Sequence, residues 1–500
     1  MVGVNPLHAL FGEDRERASP YHPSDRRFLD PLYIDVTAVP DLAASAEARA
    51  LLDRFGPRIA GLGARTNVDY PGVWEVKRAV LAACFAAFAQ HAPDDALAAE
   101  FDHFVAAGGT SLARFALFEA IAAAHPRVPW PQWPADLHTP ESRGAAAFAA
   151  QHAPAVRFAL YLQWQADRQL AAAAARARQA GLAFGFYRDL AVGAAPDGAE
   201  VWANSAAFAR GVSIGAPPDP FSPSGQVWCL PPPNPHAIRA SGAAGWRELL
   251  AANMRHAGAL RIDHVMGLAR LFWVPDGATA TDGAYVDYPL ALQLSVLAQQ
   301  SASARCIVVG EDLGTVPEGF RDRLAAADVL SYRVLWFERD GAGFLPPDRY
   351  PARAVACVST HDLPTIAGWW RGADIDEKEG LGLLTVDAAA AARAERGAER
   401  GALATALDRA GIARIDPAAA PEAAPVAAIH GFIGAAPSVL AMAQADDLAG
   451  ATTALNLPAT DRARPNWRRR IDVDVDELWV TERGARIAAS FAARAAGDRG

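Results

Sequence analysis

Short apolar runs rich in β-branched residues recur along the chain, and nearly every one stops at or beside a polar or acidic residue. They are VGVNPL (2–7), GFYRDLAVG (185–193), ALRIDHVMG (259–267), CIVVGED (306–312), SYRVLWFE (331–338), AVACVSTHD (354–362) and SVLAMAQADD (438–447). Runs of this length predict β-strands, and their near-continuous apolar character predicts strands covered on both faces. Helix-compatible sequence separates most of them, as at 291–301 and 318–327. Between 37 and about 181 a helical period takes over, with amphipathic segments at 76–88, 97–107 and 156–178.

Strand and helix in alternation predict a parallel sheet. The expected fold is α/β, a TIM (β/α)8-type barrel, because in that architecture the carboxyl ends of the strands carry the chemistry, which accounts for acid following apolar run so often. A doubly wound sheet also binds ligands at strand ends, but neither a GxGxxG nor a GxxxxGK loop occurs in the chain. Seven runs are present, where a closed barrel of this type has eight strands. The first starts almost at Met1, so the expectation is a barrel lacking its first strand and helix at the N-terminus, with two open sheet edges that aggregate or are completed by another chain. One catalytic barrel domain over 1–500 is expected, with a helical insertion at about 37–181.

Composition narrows the partners. A 52% hydrophobic share with 13 Trp and 21 Phe supports a large folded core. The 47 basic and 56 acidic residues leave a net charge of -9, which offers no electrostatic footprint for nucleic acid or an anionic membrane. Four cysteines without CxxC spacing (Cys84, Cys229, Cys306, Cys357) point to neither a disulfide framework nor a zinc site. The start lacks the basic leader and apolar stretch of a signal peptide, and apolar runs such as 79–89 fall short of the roughly 20 residues of a membrane span. A cytoplasmic protein with reduced thiols, no membrane and no metal or organic cofactor is expected; the oligomeric state is not specified.

Three acids stand at three predicted strand ends: Asp263 in RIDH, Glu311 in VGED and Asp362 in STHD. Two carboxylates flanking a glycosidic bond are what glycoside chemistry requires, and a third can hold sugar hydroxyls. Trp202, Trp228, Trp273, Trp369 and Trp370 lie near these segments and could supply flat apolar faces for pyranose rings. Each feature taken singly also has a structural explanation. Asp263 and Arg261 share one strand face and could form only an ion pair; Glu311-Asp312 could start a helix and Asp362 could cap one; tryptophans are commonly core. The functional reading rests on three acids in one register of strand ends.

The segments RIDHVMGLARLFWVP (261–275), VVGEDLGTVP (308–317) and STHDLPTIAGWW (359–370) resemble the signature segments of amylomaltase, the 4-α-glucanotransferase or disproportionating enzyme of glycoside hydrolase family 77. ASPYHPSDRRFLDPLYIDV (18–36), GAPPDPFSPSGQVW (215–228) and PNWRRRIDV (465–473) match its pattern in order. The resemblance implies Asp263 as nucleophile, Glu311 as general acid/base and Asp362 as the acid that holds ring hydroxyls. It implies that Arg261, His361 and Asp189 line the donor subsite and that Tyr21, Trp228 and Asn456 contact glucan. The implied reaction is transfer of α-1,4-glucan segments between maltooligosaccharides by retaining double displacement, with Arg261 keeping Asp263 ionised and Glu311 holding a proton. An α-amylase-like hydrolase using the same triad and an inactive truncated glucan-binding relic are the alternatives. Three positions depart from the family pattern: Asp30 for Asn, Cys229 for Gly, and Ala459 for Gly in the NxPGT-like segment.

Overall fold

The seven apolar runs form seven parallel strands in the computed structural model: β1 (Val2–Gly3), β2 (Phe186–Leu190), β3 (Ala259–Ile262), β4 (Ile307–Gly310), β5 (Leu330–Val334), β6 (Ala354–Cys357) and β7 (Leu440–Met442). The structure describes residues 1–497 except 93, 219–223, 342, 421–422, 459 and 461–462, and side chains up to 492. The chain divides into two compact units, residues 1–65 with 69–311 and residues 66–68 with 312–500.

In the first unit the strand order is β1-β2-β3-β4. The register pairs Asp189 of β2 with Arg261 of β3, and Gly310 of β4 with Ile262 of β3. β1 is exposed, whereas β2, β3 and β4 are buried on both faces, Ala259 and Leu260 completely, although Arg188, Asp189 and Arg261 interrupt the apolar sequence of β2 and β3. Helices Ala244–Met254 and Leu290–Ala304 pack together between them in sequence. Beside the parallel strands stands an antiparallel sheet in the order Gln226–Val227, Val212–Ala216, Arg270–Pro275, Ala284–Asp287.

The insertion between β1 and β2 is helical. Its main members are α1 (Ala46–Gly63), α2 (Tyr70–Phe88), α3 (Ala96–Ala124), α4 (Arg143–Gln151) and α5 (Ala153–Gln179). Side chains cap several of their amino ends: Ser45 accepts from the Ala48 N–H, Asp69 from Gly72 and Ser142 from Ala145. Trp74, Leu81, Phe88, Phe101, Tyr161 and Trp164 form one core among them. The helix α3 is long and apolar enough by composition to cross a bilayer. It breaks at Gly109 (φ 54, ψ -147), and Phe101, Phe115, Phe118 and Ile121 on it are buried in the protein's own core.

In the second unit the strand order is β5-β6-β7, again parallel, with Val355 of β6 opposite Leu440 of β7. Val334, Val355, Ala356 and Val358 are fully buried. The loop after β6 runs directly into helix Ile366–Arg371, whose cap is Thr365: its Oγ1 accepts the Gly368 N–H at 3.0 Å and donates to the Ala451 carbonyl at 2.6 Å.

Candidate active site

Register brings the polar ends of β2, β3 and β4 together in the first unit. Arg261, a residue 7% exposed, donates from Nη1 to both oxygens of Asp189 at 2.8 and 2.9 Å, and its Nη2 lies 3.0 Å from Asp263 Oδ1. The ion pair expected as the structural explanation of Arg261 and Asp263 therefore exists, but it is shared with Asp189 on a second strand, β2. The Tyr21 hydroxyl donates to Asp189 Oδ2 at 2.5 Å. Burial, and next the Asp189 carboxylate, hold the Tyr21 phenol well above its ordinary pKa. Burial alone would lower the Arg261 pKa, but Asp189, Tyr21 and Asp263 outweigh it and hold the guanidinium well above its usual range.

Glu311 does not start a helix; the next one begins at Phe320. Its backbone extends the β4 ladder, since its N–H donates to the Ile262 carbonyl at 3.0 Å and its carbonyl accepts the Val265 N–H at 3.0 Å. The Asp263 N–H donates to the Leu190 carbonyl at 3.0 Å. Asp263 and Glu311 are thus one residue past the paired positions Ile262 and Gly310. His264 then turns the chain in the left-handed region (φ 46, ψ 58) and aims its N–H at Glu311 Oε2, 2.8 Å away. A β-carbon on Gly310 would come within 2.9 Å of Val265 Cγ1, so only glycine lets this turn fold over the end of β4. The Trp228 ring stands edge-on to the His264 ring at 5.2 Å, and its N–H donates to Gln226 Oε1. Burial lowers the His264 pKa, which keeps the imidazole neutral near pH 7.

Asp312, the neighbour of Glu311 in sequence, belongs to the second unit and is structural. Fully buried, it accepts from Arg321 Nε at 2.7 Å, Ser331 Oγ at 2.8 Å and the Tyr332 N–H at 2.9 Å.

The second unit assembles the other predicted residues around Asp362. Asn456 Nδ2 donates to Asp362 Oδ1 at 2.6 Å, and His361 Nε2 lies 3.3 Å from Asp362 Oδ2. The Asn456 N–H donates to the His361 carbonyl at 3.0 Å, which joins this loop to the distant 450s segment. The Trp467 ring lies 5.1 Å from the His361 ring. Asp362 caps no helix, because Thr365 has that position.

Some sequence expectations are corrected. Trp202, Trp369 and Trp370 are 1%, 3% and 1% exposed, so they are core rather than sugar platforms. Trp202 donates its N–H to the Leu137 carbonyl and Trp369 stacks on Trp336 at 4.6 Å; large apolar faces are more stabilising packed inside than held against solvent. The family departures have local reasons. Asp30 is buried and pairs with Arg15 Nη1 at 2.7 Å while accepting the Leu10 and Leu32 N–H groups. Cys229 sits at φ 56, the backbone region that explains why glycine is usual there. Ala459, and residues 219–223 of the GAPPDPFSPSGQVW segment, lie outside the described residues. His264 and Trp467 were not singled out from sequence, although both stand in quoted motifs. Among the described residues no cluster of three or more His, Cys, Asp or Glu is placed to hold a metal.

The chain is similar to several known proteins. A 4-alpha-glucanotransferase of Mycobacterium tuberculosis is 38% identical over 93% of this chain, and one of Haemophilus influenzae is 33% identical over 94%. The chain spans 65% of the mycobacterial protein's length and 70% of the Haemophilus one's. The crystal structure of amylomaltase from Corynebacterium glutamicum matches 98% of this chain and 69% of its own, with TM-score 0.87 and 30% identity. Amylomaltase from Streptococcus agalactiae, solved in complex with acarbose, matches 99% of this chain and 91% of its own with TM-score 0.78 at 20% identity, a likeness of fold. The fold class is accordingly the TIM-type α/β barrel. Residues 1–475 match the glycoside hydrolase 77 family, described as 4-alpha-glucanotransferase, and the chain belongs to that family.

Proposed function

We propose that the protein is a 4-α-glucanotransferase that moves α-1,4-glucan segments between maltooligosaccharides by a retaining double displacement. The observation that carries the reading is the pairing of Asp263 and Glu311, each one residue past an in-register pair on neighbouring strands. Neighbouring strands lie about 4.8 Å apart, and a retaining pair of carboxyl groups stands about 5–5.5 Å apart.

In this reading Glu311 gives a proton to the glycosidic oxygen while Asp263 attacks the anomeric carbon. The leaving glucan departs with that proton, and a covalent glucosyl-Asp263 remains. The His264 N–H holds Oε2 of Glu311, which orients the carboxyl group and stabilises the carboxylate that forms when the proton is gone. That carboxylate then takes a proton from the 4-hydroxyl of an acceptor glucan, which displaces Asp263. Arg261 supplies the positive charge facing the Asp263 carboxylate, and Tyr21 and Asp189 hold Arg261 in place. Asp362, gripped by Asn456, holds ring hydroxyls together with His361, and Trp228 contacts the glucan. The partners are neutral glucans rather than nucleic acid or membrane. The free cysteines, three of them buried, fit a reducing cytoplasm.

The chemistry is tested with α-maltotriosyl fluoride and Glu311→Gln. Fluoride leaves without acid help, so the variant should accumulate a maltotriosyl adduct that peptide mass spectrometry finds on Asp263. An adduct on another residue, or release of sugar with inverted anomeric configuration, refutes the assignment. On natural maltotriose the same variant should lose about 10²–10⁴-fold in rate, the usual contribution of a positioned general acid.

A further inference from the structure

We infer that the first unit carries a second ligand site, a cavity of about 720 Å³ behind the strand end that holds Asp263, suited to a neutral, ring-bearing, largely apolar small molecule. Its volume falls within the range of about 300–1,000 Å³ typical of small-molecule sites. Its floor is apolar and buried, made by Leu190, Ile262, Leu268 and Leu271. Its mouth lies between α3, the segment after helix Ala199–Ala203 and the start of helix Ala244–Met254, where Asn204, Ser241 and Glu248 are exposed.

The charge of the wall selects the ligand. Three arginines line it, and each has an acid: Arg26 bonds Glu200 at 2.6 Å, Arg27 bonds Asp25 at 2.6 Å and Arg114 bonds Glu141. Arg27 also donates to Ser111, and Arg114 to the Ala203 carbonyl. The two other acids that line it are also faced by arginines, Glu248 by Arg27 at 3.8 Å and Asp263 by Arg261 at 3.0 Å, so an anionic or cationic ligand would have to disturb an existing pair and a neutral one is favoured. A free sugar would leave most of its hydroxyls unpaired against the floor, whereas an aromatic or alicyclic body would bury apolar surface there. The Trp246 N–H is already donated to the Gln293 carbonyl.

Because Ile262, Asp263 and His264 are among the residues that line the cavity, an occupant presses on the segment that positions Asp263 and Glu311. Binding stands by itself; only its effect on turnover rests on the function proposed above. The expected effect is on kcat, with KM for maltooligosaccharide unchanged, since the ligand does not compete for the glucan site.

The test titrates the full chain with the neutral dye Nile red and follows its emission. Wild type should bind with a saturable one-to-one blue shift that excess maltotriose does not displace. Two filling variants, Ala207→Phe and Ala237→Leu, each on the cavity wall, should weaken binding at least tenfold while keeping the thermal midpoint of wild type. Having two variants covers the failure of one to fold. At saturating dye kcat should change at least twofold in wild type and not in the variants. No saturable binding, equal binding by both folded variants, or displacement by maltotriose overturns the second site; binding with unchanged kcat overturns the coupling.

Discussion

Arg261→Met removes the group on which the polar ends of two strands, β2 and β3, converge. In the native protein the guanidinium faces Asp189 at 2.8 Å and Asp263 at 3.0 Å, and the three side chains are only 9%, 8% and 19% exposed. Methionine has a similar apolar stem and no charge, so Asp189 keeps the Tyr21 hydroxyl but no cation. Breaking a buried pair from one side costs about 3–5 kcal/mol, because the survivor stays desolvated. Coulomb's law gives about 4 kcal/mol for unit charges about 4 Å apart at an effective dielectric of about 20. At about 1.4 kcal/mol per factor of ten, amide exchange in β2 and β3 should accelerate roughly a hundred- to a thousandfold where opening is local. Hydrogen exchange read by mass spectrometry on peptides covering 186–190 and 259–262 measures it. Asp189→Asn with Arg261→Met neutralises both ends, and the double variant should recover about 1–3 kcal/mol relative to the sum of the singles. Exchange within threefold of wild type in Arg261→Met, or strictly additive singles, would refute the argument.

Asn456→Ala removes the 2.6 Å donor to Asp362; losing a hydrogen bond to a charged group costs about 1.5–3 kcal/mol, so kcat/KM on maltotriose should fall roughly ten- to a hundredfold with the fold intact by circular dichroism. Cys229→Gly relieves a left-handed residue, worth about 1–2 kcal/mol, against about 0.5–1 kcal/mol of added chain entropy; a net gain near 0.5–1 kcal/mol should raise the unfolding midpoint, and a drop would show that the thiol makes a stabilising contact. Burial raises Asp447 to about 7 and lowers His430 to about 4, the two facing each other at 3.6 Å. Folded Asp447 keeps a proton that the unfolded chain releases, so its contribution is lost as pH rises from about 4 to 7, while that of His430 is gained from about 4 to 6.5. The slopes oppose. Urea unfolding of wild type should therefore change little over that window, Asp447→Asn should reveal stability rising with pH, and His430→Gln stability falling; slopes of the opposite sign would refute the assignment.

Features set by local pattern were legible in the sequence. All seven parallel strands appear where apolar β-branched runs stood, and the insertion is helical where a 3.6-residue period ran. The acids at strand ends were legible because a buried strand seldom carries charge unless its end has work to do. What escaped depends on contacts distant in sequence. The strand Arg270–Pro275 was hidden inside a motif, since its partners Val212–Ala216 and Ala284–Asp287 are short and lie far along the chain or across a loop. The Asp189–Arg261 bond follows from register between strands 72 residues apart. The left-handed turn at His264 carried only a weak sequence signal, because positive φ is uncommon outside glycine even though histidine adopts it more readily than most residues. The tryptophans misled because one residue type serves both core and sugar contact, and only burial separates the two uses.

The central claim is transfer rather than hydrolysis at Asp263 and Glu311. Incubating the 500-residue protein with maltotriose and resolving the products by chromatography, beside Asp263→Asn, tests it most directly. The account predicts released glucose together with a ladder of glucans longer than the substrate, both absent in the variant. Glucose and maltose with no longer products, or a ladder that survives in Asp263→Asn, would contradict it.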